Sequence, residues 1–190
     1  MDRDARPWLS NLLRGADLLL LTVDLSQEPI GQVEAIIEEL GKLKIKLIER
    51  QEQGEEFWVR QSKAMIVGNK IDLDGSEENL RNLESRYGEE FSIIAISATR
   101  GNGLEDLKRE VYKSLDIIRV YTKAPGQKKG LGEPMIMKRG STANDAAESV
   151  HKDFQAKLKY ALVWGSGKFD GQKVKREHIL EDCDVIELHI

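Results

Sequence analysis

The sequence predicts an α/β protein: a parallel sheet with helices on both faces, followed by a smaller unit of strands around one helix. Three observations carry that expectation. Short apolar runs at Leu18 to Val23, Ala64 to Val67 and Phe91 to Ile96 are separated by longer segments with helical periodicity. Runs of this kind, apolar at nearly every position, suit parallel strands buried on both faces. The character of the chain then changes at Ile117, after which strand-like runs bracket a single helical stretch.

The elements follow in order. Arg6 to Arg14 places apolar residues at 8, 9, 12 and 13, as an amphipathic helix does. After the strand ending at Asp24, Gln32 to about Ile48 spaces Val33, Ile36, Ile37, Leu40, Leu43 and Leu47 for a second helix. Gln51 to Gln61 is polar and contains Gly54; loop and short hairpin insertion are equally compatible with it. Ser76, with Glu77 and Glu78 behind it, supplies a hydroxyl cap and first-turn acids for a third helix, closed by Gly88. The last helix of this part starts near Gly103 and offers Leu104, Leu107, Val111 and Leu115 to a core. Strand–helix alternation of this kind builds a parallel sheet.

From Ile117 the pattern differs. Ile117 to Thr122 and Pro134 to Lys138 read as strands, joined by a Pro/Gly/Lys loop from Ala124 to Gly132. Thr142-Ala143-Asn144-Asp145 has the form of a capping box before a short helix whose inner face would hold Ala147, Val150 and Phe154. Tyr160 to Trp164 and Val185 to Ile190 are two further strands. Two strands, a helix and more strands is the β-grasp (ubiquitin-like) order. The expected domains are 1–116 and 117–190.

Two polar patches stand at strand ends in the first part. Gly68-Asn69-Lys70-Ile71-Asp72 follows one apolar run, and Ser97-Ala98-Thr99 follows the next. In an open α/β sheet, ligands sit at the carboxyl ends of the strands, so both loops open on one edge. The residue types suit guanine. A carboxylate at Asp72 can accept two hydrogen bonds at once, from the ring N–H and the exocyclic amine; adenine lacks that donor pair and would leave the carboxylate unpaired. Asn69 can brace the loop and reach the Hoogsteen edge. The Lys70 stem can cover one face of the ring. The Ala98 N–H can donate to the guanine oxygen while Ser97 holds its loop. Asn-Lys-x-Asp alone is a weak signal in a chain this rich in charge; with a preceding strand, and Ser-Ala one helix and one strand later, it becomes specific.

On these residues, the stretch from about Ala16 to Leu115 resembles the second half of a translation-factor-class GTPase domain, nearest the Obg and DRG families. Ala16 to Asp24 is similar to the strand after their switch II helix, and Arg100-Gly101-Asn102-Gly103-Leu104 to the turn into their last helix. The resemblance implies a GTP/GDP site of which only the guanine end lies in this chain. A GTPase holds phosphates with Gly-x-x-x-x-Gly-Lys-Ser/Thr, and the closest string here, Gly165-Ser166-Gly167-Lys168, has Leu162 and Phe169 at the flanking key positions. Asp72-Leu73-Asp74-Gly75 matches the switch pattern Asp-x-x-Gly but reads as an acidic turn into the next helix. The chain is therefore expected to begin in mid-domain. Magnesium and GTPase activity are expected only with an upstream phosphate-loop half, and no catalytic residue is assigned.

The second part resembles a TGS domain, through Thr142, Asp145-Ala146, Val150-His151-Lys152-Asp153-Phe154, Lys159 to Gly165, and His178 to Ile186. Ile118 to Lys123 and Tyr160 to Gly165 look most like the DRG branch. Cys183 departs from the glycine usual in that turn. The resemblance implies a protein that couples GTP state to RNA or ribosome binding; the alternative is a non-catalytic RNA- or protein-binding adaptor. A piece of an aminoacyl-tRNA or nucleotide synthetase fits the guanine loops poorly.

Charge is uneven. Residues 1–116 hold 16 Lys/Arg against 23 Asp/Glu, and residues 117–190 hold 13 against 10, giving −7 and +3 of the total −4. A basic module seeks an anionic partner. Candidate RNA contacts are Lys128, Lys129, Lys138, Arg139, Lys173, Lys175 and Arg176, with solvated loops as the equal alternative. Tyr160 and Trp164 could stack on bases, but packing is expected in so small a domain. His151 and His178 lack a carboxylate cluster at ligand spacing, so structural or solvated roles are expected and no metal site is assigned. One cysteine, Cys183, excludes a disulfide framework. No apolar run reaches membrane-spanning length, so a cytoplasmic protein without a membrane partner is expected; a regulatory protein is a further candidate partner.

Overall fold

The computed structural model describes residues 7–48, 60–126 and 132–190. Gln51 to Val59, most of the stretch left open between loop and hairpin, lies outside them, as does the Lys128-Lys129 pair. The chain divides into two compact units, Met1–Leu115 and Asp116–Ile190.

The first unit runs α1 (Pro7–Gly15), β1 (Leu19–Asp24), α2 (Pro29–Lys42), β2 (Ile45–Ile48), β3 (Arg60–Asn69), α3 (Ser76–Tyr87), β4 (Ile93–Ala95) and α4 (Leu104–Leu115). All its strand pairings are parallel and all involve β3. Residues 64–69 of β3 pair with 19–24 of β1, 66–68 pair with 93–95 of β4, and 60–63 pair with 45–48 of β2. Leu21, Val23, Ala64 and Ile66 point to one face and pack with Val33 of α2, Leu83 and Tyr87 of α3, and Phe91. Met65 and Val67 point the other way and are equally buried. Lys63, on their side, donates to the Ser114 carbonyl near the end of α4 at 3.1 Å. Both faces of β3 are covered, whereas β1 buries only Leu21 and Val23 and leaves Leu20 and Thr22 exposed, so its apolar run is not buried on both faces.

Two local expectations need correction. The helix expected to reach Ile48 ends at Lys42. Lys44 takes φ 56°, and Ile45–Ile48 forms β2. A left-handed residue stops a helix, and Ile45 and Ile48 gain more by burial beside β3. Ser76 is not the cap of α3. Gly75 holds that position at φ 79° without a side-chain bond, and the Ser76 hydroxyl turns inward to the Lys70 carbonyl at 2.9 Å. The first-turn acids Glu77 and Glu78 still favour this helix end. The apolar stripe of α4 is only half-buried. Gly103, at φ 73°, must be glycine: a Cβ there would lie 2.2 Å from the Ala95 carbonyl oxygen.

The second unit runs β5 (Ile117–Thr122), β6 (Met135–Lys138), α5 (Ala143–Val150), α6 (Lys152–Lys157), β7 (Tyr160–Trp164), β8 (Gln172–Val174) and β9 (Asp184–His189). Its sheet has the order β6-β5-β9-β7-β8, with β5 and β9 parallel and the other pairs antiparallel. Ile118, Val120, Met137, Ala161, Val163, Val174 and Ile186 form the core with Ala143 and Ala146 of α5. Thr142 and Asp145 close a reciprocal capping box. The single helix expected here is broken at His151, whose extended backbone ends α5 and caps α6. Val150 is consequently 42% exposed, and Ala143, Ala146 and Ala147 supply the inner face.

Cys183 sits at φ 68° in the turn before β9, and its N–H donates to the Arg119 carbonyl at 2.8 Å. A side chain in the left-handed region costs about 1–2 kcal/mol, partly offset by glycine's larger entropy loss on folding. Cys183→Gly should therefore stabilise the second unit by about 0.5–1 kcal/mol in chemical denaturation. A loss of stability would show that the Cys183 side chain makes a contact worth more than the strain.

Candidate functional site

Because β1, β3 and β4 are parallel and in register, Asp24 lies beside Asn69, and Gly68 beside Ala95. Their carboxyl ends share one edge, and the loops leaving them meet there. The Ile96 N–H donates to the Gly68 carbonyl at 2.8 Å, and the Ile71 N–H to the Ile96 carbonyl at 3.1 Å. These two bonds continue the ladder beyond the strands and bring the Asn-Lys-x-Asp turn against the Ser-Ala-Thr turn.

The Asn69 side chain joins the two turns. Its Oδ1 accepts from the Lys70 N–H at 2.8 Å and from the Ala98 N–H at 3.0 Å. The Ala98 donor expected for a base oxygen is thus engaged by Asn69 here. Lys70 follows at φ 67°. Its ammonium is 2.6 Å from Asp24 Oδ2, so the side chain runs back toward the end of β1. The Asp72 side chain is 12% exposed and contacts the Ser97 side chain and Arg100 Nε, the latter at 3.0 Å. Ser97 is fully buried, its carbonyl accepting from the Gly101 N–H at 2.8 Å and its N–H donating to the Asn102 carbonyl at 3.0 Å. All five residues singled out in this part of the sequence therefore meet at one corner.

Four supporting residues escaped the sequence reading. Asp24 receives bonds from the Ser26 N–H and hydroxyl, at 2.9 and 2.7 Å, besides its ion pair with Lys70. Ser76 pins the Lys70 carbonyl to the start of α3. Asn79 Nδ2 donates to the Leu25 and Gln27 carbonyls at 2.8 and 2.6 Å, tying the loop after β1 to α3. Arg100 reaches Asp72. An acid closing an apolar strand, as Asp24 does, was a legible signal; the other three act through tertiary contacts.

The electrostatics favour ionised carboxylates. The bond from Lys70, then those from Ser26, lower the Asp24 pKa to about 2. The bond with Ser97 lowers Asp72 against the opposing effect of desolvation, with Arg100 assisting.

Among the described residues, the basic candidates of the second unit do not form one cluster. Lys138 ends β6 and Lys173 lies on β8, the two opposite edges of the sheet, four strand spacings or roughly 19 Å apart. Arg139 is paired with Asp116 at 3.0 Å. Lys175 and Arg176 follow β8, near Lys173. Tyr160 and Trp164 alternate with the core residues Ala161 and Val163, so they lie on the sheet face away from the core. Their rings are engaged there. His189 stacks on Tyr160 with centroids 4.5 Å apart, Lys173 Nζ is 3.8 Å from the same centroid, and Lys123 Nζ is 4.2 Å from that of Trp164. His151 Nδ1 accepts from the Asp153 N–H at 3.1 Å, a helix cap. Among the described residues no cluster of three or more His, Cys, Asp or Glu could hold a metal, and no helix is long and apolar enough to cross a membrane.

Residues 118–190 match the TGS domain family. An uncharacterized GTP-binding protein of Methanocaldococcus jannaschii is 42% identical over 130 residues, covering 67% of this chain and 33% of that protein. Developmentally-regulated GTP-binding protein 1 of Xenopus laevis is 38% identical over 126 residues, 65% of this chain and 33% of that protein. This chain is homologous to the C-terminal part of DRG-type GTP-binding proteins. It spans about a third of the length of these relatives. The fold is shared with a GTP-binding protein from Pyrococcus horikoshii OT3, at TM-score 0.66 and 18% identity over 93% of this chain and 79% of that one. The YchF GTPase of Schizosaccharomyces pombe matches at TM-score 0.66 and 14% identity, over 96% and 74%. The DRG-type relatives carry the homology and these two structures the architecture.

A depressed carboxylate pKa stabilises the fold above the group's unfolded value, 3.8 for Asp24, and that contribution is lost as pH falls toward about 2. Asp24→Asn should accordingly lower thermal stability at pH 6 and make the variant less sensitive to acidification between pH 4 and pH 2.5 than the parent. Parallel melting curves across that window test it; identical acid sensitivity would mean that the Lys70–Asp24 pair contributes nothing to the fold.

Proposed function

We propose that Asn69, Lys70, Asp72, Ser97 and Ala98 form the base-reading end of a guanine-nucleotide site. The observation that supports it best is the Asn69 side chain, which joins the Lys70 and Ala98 amides and so holds both turns in one geometry. Asp72, whose pKa Ser97 lowers, is the group for the ring N–H and exocyclic amine. Lys70, fixed at its tip by Asp24, presents an extended aliphatic stem for the base to lie on. The relatives are named GTP-binding proteins, which agrees with this reading.

In the intact protein the two units would act as the C-terminal half of a GTPase domain, 1–116, and a TGS domain, 117–190. Phosphates and magnesium would be held by a phosphate loop, whose Gly-x-x-x-x-Gly-Lys-Ser/Thr string this sequence does not contain. This chain's own residues orient the base and select guanine over adenine. GTP state would be coupled to RNA or ribosome binding in the cytoplasm through the TGS domain; a regulatory protein is the other candidate partner, and an adaptor without catalysis the alternative function.

The 190-residue chain should hydrolyse no GTP, because hydrolysis requires positioned phosphates, magnesium and water. Calorimetry with GDP should give a dissociation constant no better than about 1 mM, abolished by Asp72→Ala. Micromolar binding that survives Asp72→Ala would place the site elsewhere.

The RNA reading rests on the net +3 of residues 117–190 and on Lys173, Lys175 and Arg176 at the β8 edge. Phosphate contacts dominate such binding, so affinity for structured RNA should fall steeply with salt and be indifferent to sequence. Reversing all three charges together should weaken it severalfold in a filter-binding or anisotropy titration. Unchanged affinity, or no binding at low salt, would favour a protein partner for this domain.

A further inference from the structure

The Asp72 carboxylate, assigned above to the base edge, is already engaged within the chain. Arg100 Nε lies 3.0 Å from its Oδ2. The Arg100 backbone N–H donates to Ser97 Oγ at 3.1 Å, and the Ser97 side chain is the first influence lowering the Asp72 pKa. Arg100 thus links the two turns, by its side chain to Asp72 and by its backbone to Ser97. The exposures differ sharply: the Asp72 side chain is 12% exposed, that of Arg100 67%. The carboxylate is set into the protein, whereas the guanidinium stands in water and can leave without dragging a packed side chain with it.

The chemistry of the two candidate partners is shared. The edge of guanine that a carboxylate reads consists of a ring N–H, an exocyclic amine and the carbon between them, which together are a guanidine fragment. Arginine carries the same planar donor array, with a positive charge added. A carboxylate placed to pair with one is placed to pair with the other. Both cannot hold Asp72 fully at the same time. The remaining cation of the corner, Lys70, is drawn away toward Asp24.

We propose that Arg100 is a built-in competitor of the base: its guanidinium occupies Asp72 when nucleotide is absent and must yield for guanine to pair. Resting on the guanine-site reading, this assigns to Arg100 control of the base affinity. The bond from its backbone N–H to Ser97 keeps the Ser-Ala-Thr turn in place when the side chain departs. Filling Asp72 also gives a largely buried carboxylate a charged partner between ligands. An exposed ion pair is a weak competitor, so the apparent affinity of the base is lowered by a factor of about two to five.

Guanosine, which has no charge, is the probe. The full chain would be titrated with it and the amide shifts of Lys70, Asp72 and Ala98 followed by NMR. Arg100→Ala should tighten guanosine binding by about two- to fivefold, and Arg100→Lys should fall between, since an ammonium lacks the planar fork. Raising the salt should tighten binding to the parent, by screening the Arg100–Asp72 pair, and leave Arg100→Ala unmoved. Equal affinities of parent and Arg100→Ala would overturn the competitor role while leaving the base site standing. Weaker binding by Arg100→Ala would overturn it too, making Arg100 a contact to the ligand. No guanosine binding by parent or by Arg100→Ala would overturn the base-site reading, and the competitor with it.

Discussion

Strand β3 is hydrogen-bonded along both of its edges, and the first unit depends on that arrangement. Parallel pairing with β1 and β4 requires the same direction of travel, so Asp24 ends beside Asn69 and Ala95 beside Gly68. Polar turns can then cluster at one edge while the apolar runs behind them stay dry. Ile66, at 0% exposure, is packed from one side, and Met65 and Val67 from the other. Close packing on both faces leaves the strand ends little freedom, and side-chain bonds then fix the turns finely. Asn69, Ser76 and Asn79 each satisfy backbone groups of a different loop, an economical way to lock three irregular segments to one rigid scaffold.

The second unit handles polarity differently. On the sheet face away from its core, Glu187 is 5% exposed, held by the Lys123 ammonium and by His189 Nε2 at 2.7 Å. Lys123 and then desolvation are the main influences on that carboxylate, and the net effect lowers its pKa. Trp164 and Tyr160 lie over cations on either side of this acid. The face is therefore a satisfied network of charges and rings, in which each buried charge has a partner.

The fold class was legible because its signals are local. Apolar runs and helical spacing gave β1, β3, β4 and helices α1 to α5, though not the break that makes α6, and the Thr142–Asp145 spacing gave the cap of α5. The failures share a cause. Leu43 and Leu47 fit a helical stripe, yet Lys44 turns left-handed and β2 finds a place beside β3, a gain invisible to periodicity. Ser76 had the chemistry of a cap, but a buried carbonyl of Lys70 competed for its hydroxyl. At the candidate site, that Asn69, Lys70, Asp72, Ser97 and Ala98 would lie on one edge followed from two short strings after parallel strands. Arg100 was not legible, because its meeting with Asp72 spans 28 positions and exists only once the two turns are brought together.

One edge of the first sheet has a consequence for how the chain behaves in bulk. Among the described residues β1 is paired only through β3, and Leu20 and Thr22 on it are exposed, Leu20 by 45%. Such an edge offers a row of amide donors and acceptors to any extended polypeptide that approaches, with apolar side chains to reward the contact. Two copies meeting there would gain a ladder neither has alone. Colloidal stability of this chain is therefore a matter of concentration as much as of folding, and the −7 carried by residues 1–116 is the repulsion that opposes such encounters. Salt, by shortening the reach of that repulsion, works in favour of self-association.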